Sequence, residues 1–190
     1  MPNIQDQKLL YHLTKLDNIP SILDRGLMPR AQINDFKDVA DPEIITNRRQ
    51  LGLDAFVPFH WFARNPFDGR VQEDHPDAYF ILITVRRALA QRENWLAVSS
   101  HPLANSTPQL LTYEKGFAEI DWETMNRRDY HDTTCKNVCM AECLSPRVVP
   151  ASDFFQIYAP NEMVAMSVRQ GVAQRRLQLD VGVNGAMFLR

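Results

Sequence analysis

The run Tyr79-Phe80-Ile81-Leu82-Ile83-Thr84-Val85 decides the fold, because it is the longest apolar segment in the chain and is rich in β-branched and aromatic side chains. Bounded by Asp77-Ala78 and Arg86-Arg87, it reads as one buried strand, with a helical turn over residues 86–92 after it. Its length is about a third of the roughly 20 residues a membrane helix needs. Working outward toward the N-terminus, residues 9–13 (LLYHL) read as a strand carrying His12. Asp17 or Asn18 then caps a short helix with Ile19, Ile22 and Leu23 on one face, Pro20 in its first turn and Gly26 at its close. A mixed polar stretch over residues 28–41 precedes a short helix over residues 42–50 that ends in Asn47-Arg48-Arg49-Gln50. Residues 55–62 (AFVPFHWF) are dense in aromatics, but Pro58 confines them to a strand start, an edge or a bulge, and residues 63–77 read as a loop.

Toward the C-terminus, residues 96–98 predict a strand, followed by a polar loop that ends near Gln109. Residues 120–130 predict a helix capped by Asp121, and residues 140–144 and 154–158 two strands. Residues 161–174 form an amphipathic pattern with Met163, Val164, Met166 and Val168, and residues 177–183 alternate as a closing strand. The strands and helices are interspersed without the regular longer helices that βαβ units require, so the fold class is α+β rather than doubly wound α/β.

At 190 residues, with 45% hydrophobic and 23% charged, the chain has the composition of a globular domain and excludes disordered and fibrous classes. No repeat or linker divides it, so residues 1–190 are expected to form one domain. A net charge of −2 offers no overall basic field to a nucleic acid, and such a partner would need a local patch. The N-terminal MPNIQDQKLLYHL lacks a cationic stretch leading into a long apolar run, which predicts a cytoplasmic protein with no membrane association. Cys135, Cys139 and Cys143 suit neither a disulfide framework nor a four-ligand zinc site, and reduced, mostly buried thiols are expected, with no metal. GxGxxG, GxxxxGK[ST], HExxH and GxSxG are all absent from the sequence.

Three clusters carry chemistry. Tyr11, His12 and Thr14 lie on a predicted strand ahead of Asp17 and Asn18 at a helix start, where His12 is either a functional group or a satisfied half-buried side chain. Asn47, Arg48 and Arg49 are followed by VPFHWFARNP (residues 57–66), in which His60 and Trp61 beside Arg64 could stack bases while guanidinium groups clamp phosphates. The bland equivalent is an edge strand with solvated arginines. Glu142 sits inside CMAECL (residues 139–144), and an acid among apolar neighbours either meets a cation or does a job. Strand alternation would place Met140, Glu142 and Leu144 on one face.

In this order the clusters resemble the DarT family of DNA ADP-ribosyltransferase toxins. YHLTKLDNIPSIL (residues 11–23) resembles that family's YHxTxxxNLxxIL opening, NRR and VPFHWFARNP resemble its RR and VPFYFxPRSP segments, and MAECLSPRVVP (residues 140–150) resembles its AEFLV motif with a downstream Pro. The resemblance implies an ADP-ribosyltransferase α+β fold, a central split mixed sheet with short flanking helices, that uses NAD as co-substrate and transfers ADP-ribose to a base in single-stranded DNA. It implies that His12, Thr14 and Asn18 bind NAD, that Arg49 matches the second arginine of the RR pair and serves both NAD and catalysis, and that Glu142 is the catalytic glutamate. Arg48, His60, Trp61 and Arg64, with His101 from the later loop, are the expected strand-contacting residues. It further implies a toxin role, held in check by a macrodomain antitoxin of the DarG kind.

The chemistry suits these residue types. Breaking the N-glycosidic bond of NAD passes through an oxocarbenium-like state that a buried carboxylate stabilises, and that carboxylate can also take a proton from the incoming base. The chain reads ARNPFDGRVQEDHPD where the thymidine-modifying branch continues PRSPMLY, so the resemblance favours guanine slightly over thymine. Two alternatives stay open: an ADP-ribosyltransferase acting on RNA or protein, and a non-catalytic single-stranded nucleic-acid-binding module. Local contacts without a protein-wide basic field predict modest DNA affinity that weakens with salt.

Overall fold

The structure, a computed structural model, describes residues 3–33, 42–103 and 108–189, and the backbone alone for residues 42–45. Residues 34–41 of the expected polar excursion and 104–107 of the loop before Gln109 lie outside the described residues. The apolar run at residues 79–85 forms β3 (Phe80–Arg86), buried at every position but the last, and pairs antiparallel with β1 (Leu9–Lys15) along its whole length. Around this pair the chain adds β2 (Val57–His60), β4 (Leu96–Val98), β5 (Leu111–Thr112), β6 (Glu142–Ser145), β7 (Gln156–Ala159) and β8 (Asp180–Val183). Their order across the sheet is β5-β4-β6-β2-β1-β3-β7-β8, with β7 and β8 parallel and the other pairs antiparallel.

Pro58 stands in the middle of this sheet, not at an edge, and the reason is physical. An interior strand needs an N–H for each neighbour, which proline cannot supply. Between β2 and β1 the only registered pair is Tyr11 with His60, so the two strands diverge at Pro58 and no ladder bond is lost. The freed Pro58 carbonyl accepts a hydrogen bond from the His12 ring at 2.8 Å. The sheet is therefore split between β1 and β2, and the side chain of His12 fills the gap.

The helices flank the sheet: α1 (Ile19–Arg25), α2 (Pro42–Gln50), α3 (Pro66–Asp74), α4 (Arg87–Arg92), α5 (Tyr113–Glu119), α6 (Trp122–Arg127), α7 (Thr133–Cys139) and α8 (Glu162–Gln174). In α1 the residues Ile19, Ile22 and Leu23 are buried as the spacing predicts, and Gly26 follows at φ 83°. A Cβ on Gly26 would lie 2.6 Å from the Val149 carbonyl, so the close bridge between Leu27 and Val149 requires glycine there. The stripe of α8 differs from the expected one. Val164, Ala165, Val168 and Val172 face the core, whereas Met163 and Met166 lie exposed.

Three further segments correct the sequence reading. Residues 63–77 are not a loop: Asn65 caps α3 by accepting the Asp68 amide at 2.9 Å, and Pro66 opens its first turn. The helix expected over residues 120–130 ends at Arg127 because Arg128 turns left-handed, and α7 follows, with Cys135 and Cys139 buried along it. Met140 belongs to the cap of α7 and β6 begins at Glu142, so the two residues do not share a strand face.

The candidate active site

Alternation along β1 separates its side chains. Leu10 joins the larger hydrophobic core on one face of the sheet, and Tyr11 and Leu13 join a smaller core on the other. His12 and Thr14 lie on the Leu10 face, and the His12 ring tilts against Phe59 at 5.6 Å between centroids. His60 stands opposite both Tyr11 and Glu142 in the ladders, which puts His60 and Glu142 on the Tyr11 face. Through the split, the two faces meet. A cavity of about 1160 Å³ is bordered by His12, Thr14 and Asn18 from one side and by Arg48, His60, Asp68 and Glu142 from the other, with α1 and α8 closing its far end.

Glu142 is 6% exposed, and its charge is met by a cation. One amino group of Arg48, Nη1, donates to both carboxylate oxygens, at 2.8 Å and 3.0 Å. The other, Nη2, is buried and has no hydrogen-bond partner among the described residues. A buried donor without a partner is costly. The arginine that meets Glu142 is thus Arg48, an expected strand-contacting residue, while the expected catalytic and NAD-binding arginine was Arg49. Arg49 is exposed at the end of α2 and does not border the cavity. Consecutive helical residues point about 100° apart, and this step turns Arg49 away from the face on which Arg48 reaches inward.

His12 donates from Nδ1 to the Pro58 carbonyl, which leaves Nε2 as an acceptor. Burial lowers the imidazole below its ordinary range, against the Pro58 contact and the charge of Glu142, which both raise it. Asn18 donates to the Thr14 hydroxyl at 3.2 Å, so the start of α1 is tied to β1 at the cavity rim. His60 is pushed down to about 4 by burial, and its Nδ1 has no hydrogen-bond partner among the described residues. The Phe67 ring lies 5.5 Å from it.

Of the expected strand-contacting residues, Arg48 and His60 border the cavity. Trp61 does not: it has no exposed surface and packs among Tyr113, Phe117 and Trp122. The Arg87 guanidinium lies 5.0 Å from its ring. Its aromatic mass is spent on the core, and no face of it is open to a base. Arg64 is exposed on the turn between β2 and α3, in a left-handed conformation at φ 62° that the Tyr130 hydroxyl braces by donating to its carbonyl at 2.9 Å. His101 lies half-buried after β4, outside the cavity lining but within electrostatic reach of Glu142 and Arg48, and burial lowers its pKa.

Sequence reasoning missed Asp68 altogether. The signal was present in Asn65-Pro66, a cap residue followed by the residue favoured at the first helical position. Asp68 is 1% exposed, and its carboxyl Oδ2 accepts from the Asn65 side-chain amide at 2.7 Å while Oδ1 has no hydrogen-bond partner among the described residues. Burial pushes its pKa up to about 8, only partly offset by the Asn65 contact. Among the described residues, no group of His, Cys, Asp and Glu is placed to hold a metal ion, and no helix is long and apolar enough to cross a membrane.

Solved structures share this fold. The structure of a Thermus sp. 2.9 DarT in complex with ADP-ribosylated single-stranded DNA superposes with a TM-score of 0.81 at 16% identity, covering 96% of each chain. The same protein in complex with carba-NAD+ superposes with a TM-score of 0.79 at 16% identity, over 97% of this chain and 99% of that one. The sequence model of the family described as ssDNA thymidine ADP-ribosyltransferase, DarT, matches residues 11–189, and the chain belongs to that family. A DNA ADP-ribosyl transferase of Escherichia coli O127:H6 is 24% identical over 95% of this chain and 93% of its own length. A DNA ADP-ribosyl transferase-DNA ADP-ribosyl glycohydrolase fusion protein of Thermosipho africanus is 25% identical over 88% of this chain, and the match spans 46% of that longer protein.

Proposed function

We propose that the protein is an NAD-dependent transferase of ADP-ribose to a base in single-stranded DNA. The observation that carries this reading is Glu142, a carboxylate buried on a central strand, met by Arg48 and facing His12, Thr14 and Asn18 across one cavity. His12, with Nε2 free to accept, and the Thr14–Asn18 pair hold the nicotinamide-ribose end. The unpartnered Nη2 of Arg48 supplies a donor for NAD or the developing base anion. NAD loses neutral nicotinamide, which takes the electron pair of the C1″–N bond, and Glu142 stabilises the oxocarbenium character left on the ribose. A base nitrogen forms the new C1″–N bond and its proton passes to Glu142 and then to solvent, so the products are ADP-ribosyl DNA, nicotinamide and one proton. Arg48, His60, Arg64 and His101 receive the strand. Arg49 remains as an exposed cation nearby, and Trp61 is left out of the site.

Within this reading guanine is favoured slightly over thymine as acceptor, because segment 64–69 (RNPFDG) departs from the thymidine-modifying PRSPMLY at Phe67 and Asp68, which border the cavity. The fusion of a relative to a DNA ADP-ribosyl glycohydrolase supports a toxin role in which a macrodomain antitoxin reverses the mark. The test is mass analysis of a mixed-base single-stranded oligonucleotide after incubation with NAD. One base gains ADP-ribose, and Glu142→Ala abolishes the gain. Transfer to RNA or lysate protein in preference to DNA, or strand binding with no nicotinamide release, overturns it.

A further inference from the structure

Asp68 is a buried carboxyl bordering the cavity, and among the described residues nothing hydrogen-bonds its second oxygen. It stands in the first turn of α3, a helix of nine residues, and the left-handed Arg64 and the Asn65 cap fix how that turn enters the cavity wall beside Phe67 and His60. Asn65 accepts the Asp68 amide and donates to Oδ2, so the cap restrains the carboxyl from both ends. We propose that Asp68 reads the acceptor base, donating from a protonated Oδ1 to the oxo group on the base's pairing edge, O6 of guanine or O4 of thymine. The inference rests on the reading above, that a base enters this cavity.

Three observations converge on this role. Among the described residues no cation pairs with the carboxyl, and burial holds it protonated at neutral pH, so its unpartnered oxygen, itself hidden from solvent, presents a donor where a carboxylate would present only acceptors. Oδ2 is already occupied by Asn65, which directs the proton to Oδ1. The first turn of a helix would favour the ionised form, so a protonated acid kept there needs a use. An oxo group entering the cavity supplies the missing acceptor, and a buried donor left unmatched discriminates strongly against a base lacking one.

The experiment measures transfer to oligonucleotides in which the acceptor base is replaced by an analogue whose oxo acceptor is missing or weak, 2-aminopurine for guanine and 4-thiothymine for thymine. The wild-type protein is compared with Asp68→Leu and Asp68→Asn. We expect the analogue to raise KM for the oligonucleotide about tenfold or more in the wild type, and Asp68→Leu to do the same on the natural base. The two losses are expected not to add when combined, because both remove one hydrogen bond. Asp68→Asn, which keeps a neutral donor, is expected to stay within about threefold of wild type and to preserve the preference for the natural base. Additive losses overturn the proposal, as does an Asp68→Leu protein whose thermal midpoint falls while its base preference stays the same, which would reduce Asp68 to a helix cap. An Asp68→Asn protein as impaired as Asp68→Leu also overturns it. A wild-type protein that releases no nicotinamide with any oligonucleotide overturns the underlying reading instead, and the two failures are distinguished by that single control.

Discussion

Glu142 and Asp68 border one cavity and are almost equally hidden from solvent, yet their neighbours treat them in opposite ways. Glu142 lies on a central strand with a guanidinium across both oxygens, whereas Asp68 lies in a helix's first turn with an amide on one oxygen and, among the described residues, no partner on the other. A buried carboxyl takes its charge state from what faces it: a cation favours the ionised form, and apolar burial favours the protonated one. Two acids in one pocket can thereby do two jobs, the division of labour that glycosidases use. The lesson is that burial by itself assigns no role; the partner does.

The comparison breaks most sharply at Glu142. Glu142→Gln keeps the shape of the side chain and removes its charge, and it is expected to slow transfer by about 10³-fold in a single-turnover assay with labelled NAD. Removing the cation instead, in Arg48→Ala, leaves a buried charge alone. Transfer should fall about 10²-fold, and urea unfolding should show a loss of about 3 kcal/mol, the cost of stranding one member of a buried pair. Asp68→Asn tests the other side through pH. Asp68 is protonated in the folded protein up to about 8 but ionised in the unfolded chain above its ordinary range, so stability falls as pH rises between those limits. His60, pushed down to about 4, and the similarly lowered His12 and His101 act in the opposite sense below their ordinary value of 6.5 and offset that slope there. From pH 6.5 to 8 the Asp68 slope stands alone, and Asp68→Asn should gain about 2 kcal/mol on wild type across that interval in denaturant midpoints. The smallest effect is expected at Arg49→Ala, within about threefold in rate, because that side chain points to solvent.

Much of this was legible in the sequence, for reasons particular residues make plain. The run at residues 79–85 and the LLYHL strand carry strand periodicity that tertiary context did not override, and Glu142 stood out because an acid inside CMAECL contradicts its neighbours. The failures are equally specific. Pro58 limited its segment to a strand start, an edge or a bulge; it stands second in β2, an interior strand, where the divergence of β1 and β2 removes the penalty of the missing N–H. The neighbours Arg48 and Arg49 differ by one step of helical phase, which composition does not reveal. Trp61 sits beside a site residue in sequence, but the face it takes is set by Tyr113, Phe117 and Trp122 from far along the chain. Asp68 was hidden because Pro66 and Gly69 made its helix read as a loop.

The order of strands across the sheet has a consequence for synthesis. His12, His60 and Glu142 lie on β1, β2 and β6, which are neighbours in space but are separated along the chain by most of its length. At about 5–20 residues per second, several seconds pass on the ribosome between the emergence of β2 and that of β6. A nascent chain that stops short of β6 lacks Glu142, so the cavity lined by His12, His60 and Glu142 cannot assemble before that strand is made.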